Sequence, residues 1–353
     1  MDFLKIYNSI SFIGMSKNAG KTTTLNYFID MTRGKYTLGL SSIGRDGETV
    51  DRVTQTEKPK VYIYSGTIIA TCANCYKLSD ATLEILDVTN INTPLGRIVI
   101  TRALSDGYVE IAGPSTTADM KYIIEIMRSW GAKKIFIDGA LSRKSLASPT
   151  VAEATVLSTG ASLSNDIGKV VRDTILSYEL LNIEVLDNPK VKNMIMELND
   201  TNIIKDFTKR TGCLAIINDK EELVYSDCST ILGKENKIIE NTDLSTRYIY
   251  TSGAITDTFV ESLLKNTNKK NRISIIVDDG TKLFINEENK MRLKHRNIAL
   301  LALDKINICA ITVNPYSTQD YSMDSGLLIS KLKKDIDVPI FDVKEEYSRE
   351  ISK

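Results

Sequence analysis

Near the start of the chain, a short run of residues has the types and spacing that can hold a phosphate group. Gly14 ends an apolar run at 10–13, and Gly20, Lys21 and Thr22 follow after five intervening residues. Glycines allow backbone conformations that turn successive N–H groups towards an anion. In such a loop the lysine reaches the β- and γ-phosphates of a nucleotide, and the threonine hydroxyl holds Mg²⁺. The run therefore predicts a phosphate-binding loop, and the alternative is a glycine-containing turn before an ordinary helix.

The residues after the loop have the periodicity of a helix, with Leu25, Phe28 and Ile29 on one face. The N-terminus of a helix carries a partial positive charge and N–H groups without helical partners, which strengthens the attraction for a phosphate. We therefore predict a strand, a phosphate-binding loop and a helix in succession. The residues expected to contact the nucleotide are Gly14, Lys17, Asn18, Ala19, Gly20, Lys21, Thr22 and Thr23.

Two carboxylates further along are candidates for the chemistry at the phosphate. The apolar run at 134–138 ends in Asp138, which is the layout of a Walker B strand. Its carboxylate can hold Mg²⁺ through water, opposite Thr22. Asp46 lies in a polar loop after a second predicted strand, where it can approach Mg²⁺ and the attacking water; an Asp-Gly turn is the alternative. We therefore expect Asp46 and Asp138 to be catalytic, and Thr22 and Asp138 to hold the metal through nucleotide or water.

A pair of cysteines, Cys72 and Cys75, raises the question of a second kind of chemistry. A Cys-x-x-Cys pair can bind zinc with two further ligands, or act in redox chemistry. The chain has no second pair with this spacing, and its single histidine is His295, far along the sequence. We therefore predict two structural thiols without a metal.

The elements that must position these residues alternate between strands and helices. This alternation predicts an α/β fold in which a mainly parallel sheet is flanked by helices. Ligands of such sheets lie at the carboxyl ends of the strands, so that edge would collect the phosphate loop, Asp46, Asp138 and residues 158–162. Trp130 falls on the apolar face of its predicted helix and is expected in the core. The main predicted strands are 10–13, 36–43, 134–138 and 183–186, and the main predicted helices are 118–130 and 163–181.

A polar stretch at 187–200 predicts a boundary between two domains. The nucleotide-binding domain would comprise residues 1–188. Residues 197–353 would form a second, smaller α/β domain without a phosphate loop, which binds a partner or ligand. The residues at its predicted strand ends, expected to face a partner or the first domain, are Ser252, Asp278, Asp279 and Asn314.

Composition limits the classes of function. The 353 residues include 45 Lys and Arg and 45 Asp and Glu, so the net charge is zero and neither nucleic acid nor an anionic membrane is indicated as a partner. There is no apolar run of membrane-spanning length, the first residues lack a signal-peptide layout, and the cysteine count is odd; together these favour a cytoplasmic location. The guanine-specifying pattern Asn-Lys-x-Asp is absent, which favours ATP over GTP.

The Gly-x5-Gly-Lys-Thr loop resembles that of dethiobiotin synthetase and the cobyric-acid synthase relatives, in the class of P-loop proteins that includes the nitrogenase iron protein. Several members of that class carry a second lysine five residues before the loop lysine; Lys17 lies four residues before Lys21. The resemblance implies two possible activities. One is an ATP-dependent enzyme that phosphorylates a carboxylate. The other is a metallocofactor carrier in which a homodimer shares a metal or cluster through Cys72 and Cys75.

A wider set of motifs resembles one family in particular, the reactivase subunits associated with lysine 5,6-aminomutase in anaerobic amino-acid fermentation. That aminomutase uses adenosylcobalamin, and its radical chemistry can leave inactivated cofactor bound. The resemblance implies an ATP-binding, ATP-hydrolysing helper that restores the aminomutase together with a MutS-like ATPase subunit. The motifs lie at residues 14–22, 43–48, 137–140, 143–145, 157–161, 251–254 and 312–315.

Overall fold

The computed structural model describes residues 2–43, 61–139, 148, 151–205, 212–228, 231, 233–268 and 272–351, with the backbone alone at 201–205 and 349–351. The chain divides into two compact units. Unit 1 comprises Met1–Ile175 and Asn307–Lys353, and unit 2 comprises Leu176–Ile306. None of the helices in these ranges is long and apolar enough to cross a membrane.

The strands of the described ranges are β1 (Ser9–Gly14), β2 (Leu38–Ser42), β3 (Val61–Ile63), β4 (Ile68–Cys72), β5 (Leu83–Thr93), β6 (Gly96–Ala103), β7 (Gly107–Val109), β8 (Lys134–Asp138), β9 (Ala154–Gly160), β10 (Glu184–Val185), β11 (Leu214–Asn218), β12 (Leu223–Asp227), β13 (Thr246–Thr251), β14 (Ile255–Thr256), β15 (Ser274–Val277), β16 (Leu283–Phe284), β17 (Ala299–Ala302), β18 (Ile308–Asn314) and β19 (Ile340–Asp342). The helices are α1 (Phe3–Ile6), α2 (Lys21–Thr32), α3 (Ala73–Lys77), α4 (Thr117–Ser129), α5 (Ile167–Leu181), α6 (Pro189–Lys205), α7 (Glu235–Glu240), α8 (Asp257–Asn266), α9 (Glu287–His295), α10 (Ser325–Leu332) and α11 (Val343–Ile351).

Unit 1 is built on a sheet with the order β19-β18-β9-β1-β8-β2-β4-β6-β5. The strands from β19 to β4 are parallel, and β6 and β5 are antiparallel. β1 lies between β8 and β9, with Phe12 opposite Asp138 and Gly14 opposite Ser158. The predicted α/β architecture with a mainly parallel sheet is confirmed, and the carboxyl ends of β8 and β9 flank the loop after β1.

The sequence of β1 explains its central place. All six residues of Ser9–Gly14 are buried, as expected for a parallel strand covered on both faces. The apolar face of α2 covers one side, where Phe28 lies with its ring centroid 5.4 Å from Phe12 and 6.5 Å from Phe136. Tilted and edge-on aromatic contacts of this kind add to the stabilisation from apolar burial. The helix that begins at Lys21 is therefore fixed to the central strands.

Unit 2 has its own sheet, with the order β10-β17-β15-β13-β11-β12. β10, β17, β15 and β13 are parallel to one another. β11 is antiparallel to both of its neighbours, β13 and β12. A second α/β unit was expected, but its limits differ from the prediction. The strand expected at 183–186 as the last strand of the first domain is β10, and it pairs with β17 of unit 2.

The structure divides the chain at different points from the predicted domains of 1–188 and 197–353. β18 pairs in parallel with β9 across the pairs Ile311 to Leu157 and Thr312 to Ser158, so the chain returns to unit 1 after residue 306. Unit 2 is thus an insertion that begins within α5 and ends before β18. The predicted boundary at 187–200 is largely α6, whose Val191 and Ile195 lie four residues apart and are buried. The buried side chains of α6 form only a narrow apolar stripe, and its polar residues occupy the remaining surface of the helix.

Helix α4 agrees with its predicted extent except for the place of Trp130. The predicted core residues of this helix, Met120, Ile123, Ile124 and Met127, are buried. Trp130 was expected with them, but it is 40% exposed. It is the C-cap residue of the helix, and Gly131 follows with φ at +102°. The helix therefore ends before Trp130, so helical periodicity no longer places this side chain on the apolar face.

Candidate nucleotide-binding site

The loop between β1 and α2 has the backbone that an anion site needs. Gly20 is the N-cap of α2, with φ at +87°, and no side chain of the described residues caps the helix there. A Cβ atom on Gly20 would lie 2.9 Å from Cβ of Asn314. Because both the positive φ and this close approach exclude larger residues, Gly20 is required. Within the described ranges, therefore, no capping side chain competes with a ligand for the first N–H groups of α2.

The lysine that opens the helix contacts the predicted Walker B carboxylate. Nζ of Lys21 lies 2.6 Å from Oδ1 of Asp138, and both side chains are largely buried, with 22% and 24% exposed. The contact is ionic, since Asp138 Oδ1 is a buried atom that accepts no hydrogen bond of regular geometry from any described residue. The structure therefore brings together two residues that are 117 positions apart in the sequence. A carboxylate oxygen in this state has capacity for a further ligand.

Pairing within the sheet explains why Asp138 lies beside the loop. In the register of the sheet, Asp138 is opposite Phe12 of β1 and Ser42 of β2. The N–H of Gly139 donates to the Phe12 carbonyl at 3.0 Å, and the N–H of Ile43 donates to the Asp138 carbonyl at 3.2 Å. The backbone of Asp138 is thus held from both sides at the carboxyl edge of the sheet.

The segment after β9 contacts the other side of the loop. The N–H of Met15 donates to the carbonyl of Ser158 at 2.9 Å, and the hydroxyls of Ser16 and Ser162 lie 2.6 Å apart. Residues 158–162 were expected at this edge of the sheet. They support the loop of residues 14–20 through both backbone and side-chain contacts.

The end of β18 was missed as part of this site. Nδ2 of Asn314 donates to the carbonyl of Asn18 at 3.0 Å. One turn below the loop, the hydroxyl of Thr312 lies 2.9 Å from those of Thr24 and Ser158, and all three side chains are buried. In the sequence, β18 is an apolar run that ends in Asn314 and a proline. This run falls within the predicted second domain, because strand pairing across the inserted unit is not visible in the sequence.

The other predicted site residues have these positions. Lys17 and Asn18 are exposed on the loop, and Asn18 has φ at +62°. Thr22 is half-buried in the first turn of α2 and Thr23 is exposed, whereas Ala19 is buried. Asp46, the second expected catalytic carboxylate, lies outside the described residues.

These residues fit Mg²⁺ bound with a nucleotide. The donor set offers the Thr22 hydroxyl and the Asp138 carboxylate, which are hard oxygen ligands of the kind Mg²⁺ prefers. No group of three or more His, Cys, Asp or Glu side chains in the described ranges can hold a metal alone. Mg²⁺ would therefore complete its coordination with phosphate oxygens and water, as it does in nucleotide sites.

The two neighbouring cysteines have a structural role in unit 1. Both thiols are buried. Cys72 ends β4 and is the N-cap of α3, since its sulfur accepts the N–H of Cys75 at 3.4 Å. The thiol of Cys75 lies 3.9 Å from Oε2 of Glu110. Whether either cysteine binds a metal stays a prediction.

Comparison of the chain with protein-family models, with curated proteins and with solved structures gives no match. The geometry of the site and the motifs in the sequence are therefore the basis for assigning a function.

Proposed function

We propose that this chain binds ATP with Mg²⁺ at the loop of residues 14–22 and hydrolyses it. The observation that carries the proposal is the ion pair between Lys21, at the start of α2, and Asp138, at the carboxyl end of β8. A lysine at the start of a helix and a carboxylate on the adjacent strand are the two charges that a nucleotide site of this kind needs.

Each residue of the site has a distinct role in the proposal. The N–H groups of the loop and of the first turn of α2 surround the phosphates, and Lys21 exchanges its carboxylate partner for phosphate oxygens. Thr22 and Asp138 would hold Mg²⁺, directly or through water. The bound metal supplies charge neutralisation on the phosphate oxygens. Asp46 is proposed to orient the attacking water, and the missing guanine motif favours ATP.

The family resemblance supports a more specific role. We propose that ATP turnover serves the reactivation of an adenosylcobalamin-dependent aminomutase, together with a MutS-like ATPase subunit. Nucleotide binding and hydrolysis would shift the chain between states with different affinity for these partners. A carboxylate-phosphorylating enzyme of dethiobiotin-synthetase type and a metallocofactor carrier are the alternatives. Recovery of activity by inactivated aminomutase on addition of this chain and ATP would distinguish the first role from the other two.

The Asp138→Asn variant tests the hydrolytic part of the proposal. The amide keeps the shape of the side chain but removes the charge beside the metal, so we expect ATP to bind within about threefold of the parent while hydrolysis falls at least about tenfold. Release of phosphate by the full chain measures the rate. Asp304→Asn, an exposed carboxylate after β17 of unit 2, is the control. Hydrolysis at the parent rate by Asp138→Asn would contradict the assignment of this strand.

A further inference from the structure

A cleft of about 550 Å³ lies between helices α8 and α9 of unit 2. Leu264 is its apolar wall, and this side chain is buried. The remaining lining residues are all ionisable, and they are Glu261, Lys265, Arg292, His295 and Arg296. The cleft is therefore dominated by basic side chains, although the chain as a whole has no net charge.

The cations in this cleft have no acidic partners among the residues that the structure describes. Lys265, Arg292 and Arg296 form no ion pair there, and the one lining carboxylate, Glu261, accepts from the side chain of Asn289 at 3.3 Å. The lysines of unit 2 that pair with carboxylates are Lys190, Lys192, Lys234, Lys282 and Lys290.

The two arginines are held by neutral acceptors. Nη1 of Arg296 donates to the Leu264 carbonyl at 2.9 Å, and Nη2 donates to the Thr267 carbonyl at 2.8 Å. Its Nε is buried without a hydrogen-bond partner in the described ranges. One turn earlier, Nη1 of Arg292 donates to Oδ1 of Asn289 at 2.9 Å. These contacts orient both guanidinium groups, and none of them is made with a carboxylate.

We propose that this cleft binds a carboxylate-rich segment of a partner protein. The positive charges come from two helices, and Lys265, Arg292 and His295 are exposed, so they are spread along an open surface. A small-molecule site would have its polar groups converging in an enclosed pocket. Arginine forks match carboxylates in geometry, and uncompensated charge on one partner selects an acidic surface on the other. The proposal is independent of nucleotide binding in unit 1.

Binding of a fluorescein-labelled hexaglutamate peptide to the full chain, followed by fluorescence anisotropy at low salt, tests the proposal. We expect Arg292→Glu on α9 and Lys265→Glu on α8 each to weaken binding about tenfold or more. Lys294→Glu is the matched control, because it reverses one charge on the same helix at an exposed residue outside the cleft; its effect should stay below about twofold. The Lys21→Ala variant should bind the peptide like the parent.

Several results would overturn this assignment. One is undetectable binding of the peptide, and another is an equal loss of affinity in the Lys294→Glu variant. A third is that inorganic phosphate or anionic lipid vesicles displace the labelled peptide more effectively than unlabelled glutamate peptide does. Thermal unfolding followed by circular dichroism shows whether each variant is folded. Because Arg292 contacts the buried Asn289, Lys265→Glu carries the test if Arg292→Glu does not fold.

Discussion

Gly20 shows how one residue combines a backbone requirement with a packing requirement. Its φ of +87° is costly for any residue with a Cβ, and that Cβ would also press on Asn314 at 2.9 Å. Gly34 has a similar φ of +68°, but a Cβ there would meet nothing within 4 Å. The pair therefore separates the backbone cost from the cost of the contact.

We predict that Gly34→Ala lowers the free energy of unfolding by about 1–2 kcal/mol, the usual cost of left-handed backbone. Gly20→Ala should cost at least about 1 kcal/mol more, since Asn314 must shift as well, and it should weaken ATP binding while Gly34→Ala does not. Urea unfolding and titration with ATP measure the two effects. Equal losses of stability in both variants would show that the contact with Asn314 has no energetic weight.

Helix α2 is the element that joins the site to the core. Its N-terminus presents Gly20 and Lys21, and its apolar face packs on β1 through Phe28. At its other end Asp30 accepts hydrogen bonds from the phenols of Tyr64 and Tyr347. Both ends of the helix are therefore fixed, which limits how far the loop can move relative to the sheet.

The contact at the C-terminal end of α2 predicts a loss of stability in alkali. Burial and the hydrogen bond to Asp30 raise the pKa of Tyr64 to about 12 from an ordinary value of 10.0. Because the folded protein holds this proton more tightly than the unfolded chain, the stabilisation is complete below pH 10 and is lost as the pH rises from 10 towards 12. Tyr64→Phe should reduce this alkaline loss, as urea unfolding across that range can measure.

Tyr108→Phe is the control for this prediction, since Tyr108 is 47% exposed on the strand that pairs with β3. It should leave the alkaline loss unchanged. If Tyr64→Phe loses stability with pH as steeply as the parent, the hydrogen bond to Asp30 does not have the effect assigned to it.

At the scale of the whole molecule, unit 1 is discontinuous in sequence. β18 and β19 complete its sheet beside β9, and they come from the last 47 residues of the chain, Asn307–Lys353. Within β18 and β19, Ala310, Ile311, Val313 and Ile340 are buried. The sheet of unit 2, by contrast, lies wholly within Leu176–Ile306.

We predict that a chain truncated after Ile306 loses the cooperative unfolding of unit 1, because β9 and its buried apolar residues become a sheet edge exposed to water. The fragment of residues 176–306 should unfold cooperatively, as it retains a complete sheet and core. Circular dichroism during heating of both proteins and the full chain measures this. A truncated chain that melts like the full chain would contradict the division into these two units.

The parts that were predictable from the sequence were those that local patterns determine. Lys21 follows one buried apolar run, and Asp138 ends another. Because the carboxyl ends of parallel strands lie at the same edge of a sheet, the sequence predicts both residues at that edge. Asn314 has the same local pattern, but its membership of unit 1 depends on pairing with β9 across the inserted unit, and apolar strands of the two sheets look alike. The prediction for Trp130 is wrong because the helix ends just before it, and an apolar residue type does not show where a helix ends. The prediction for 187–200 is wrong because α6 buries only a narrow apolar stripe, so its sequence is as polar as that of a linker.

The most direct test of the central claim is titration calorimetry of ATP and Mg²⁺ with the parent chain and with Lys21→Ala. Loss of the charge at the start of α2 should weaken binding at least about thirtyfold, equivalent to ~2 kcal/mol, while circular dichroism shows an intact fold. Lys77→Ala, which removes an exposed lysine at the end of α3, should bind ATP like the parent. Unchanged affinity in the Lys21→Ala variant would contradict a nucleotide site at this loop.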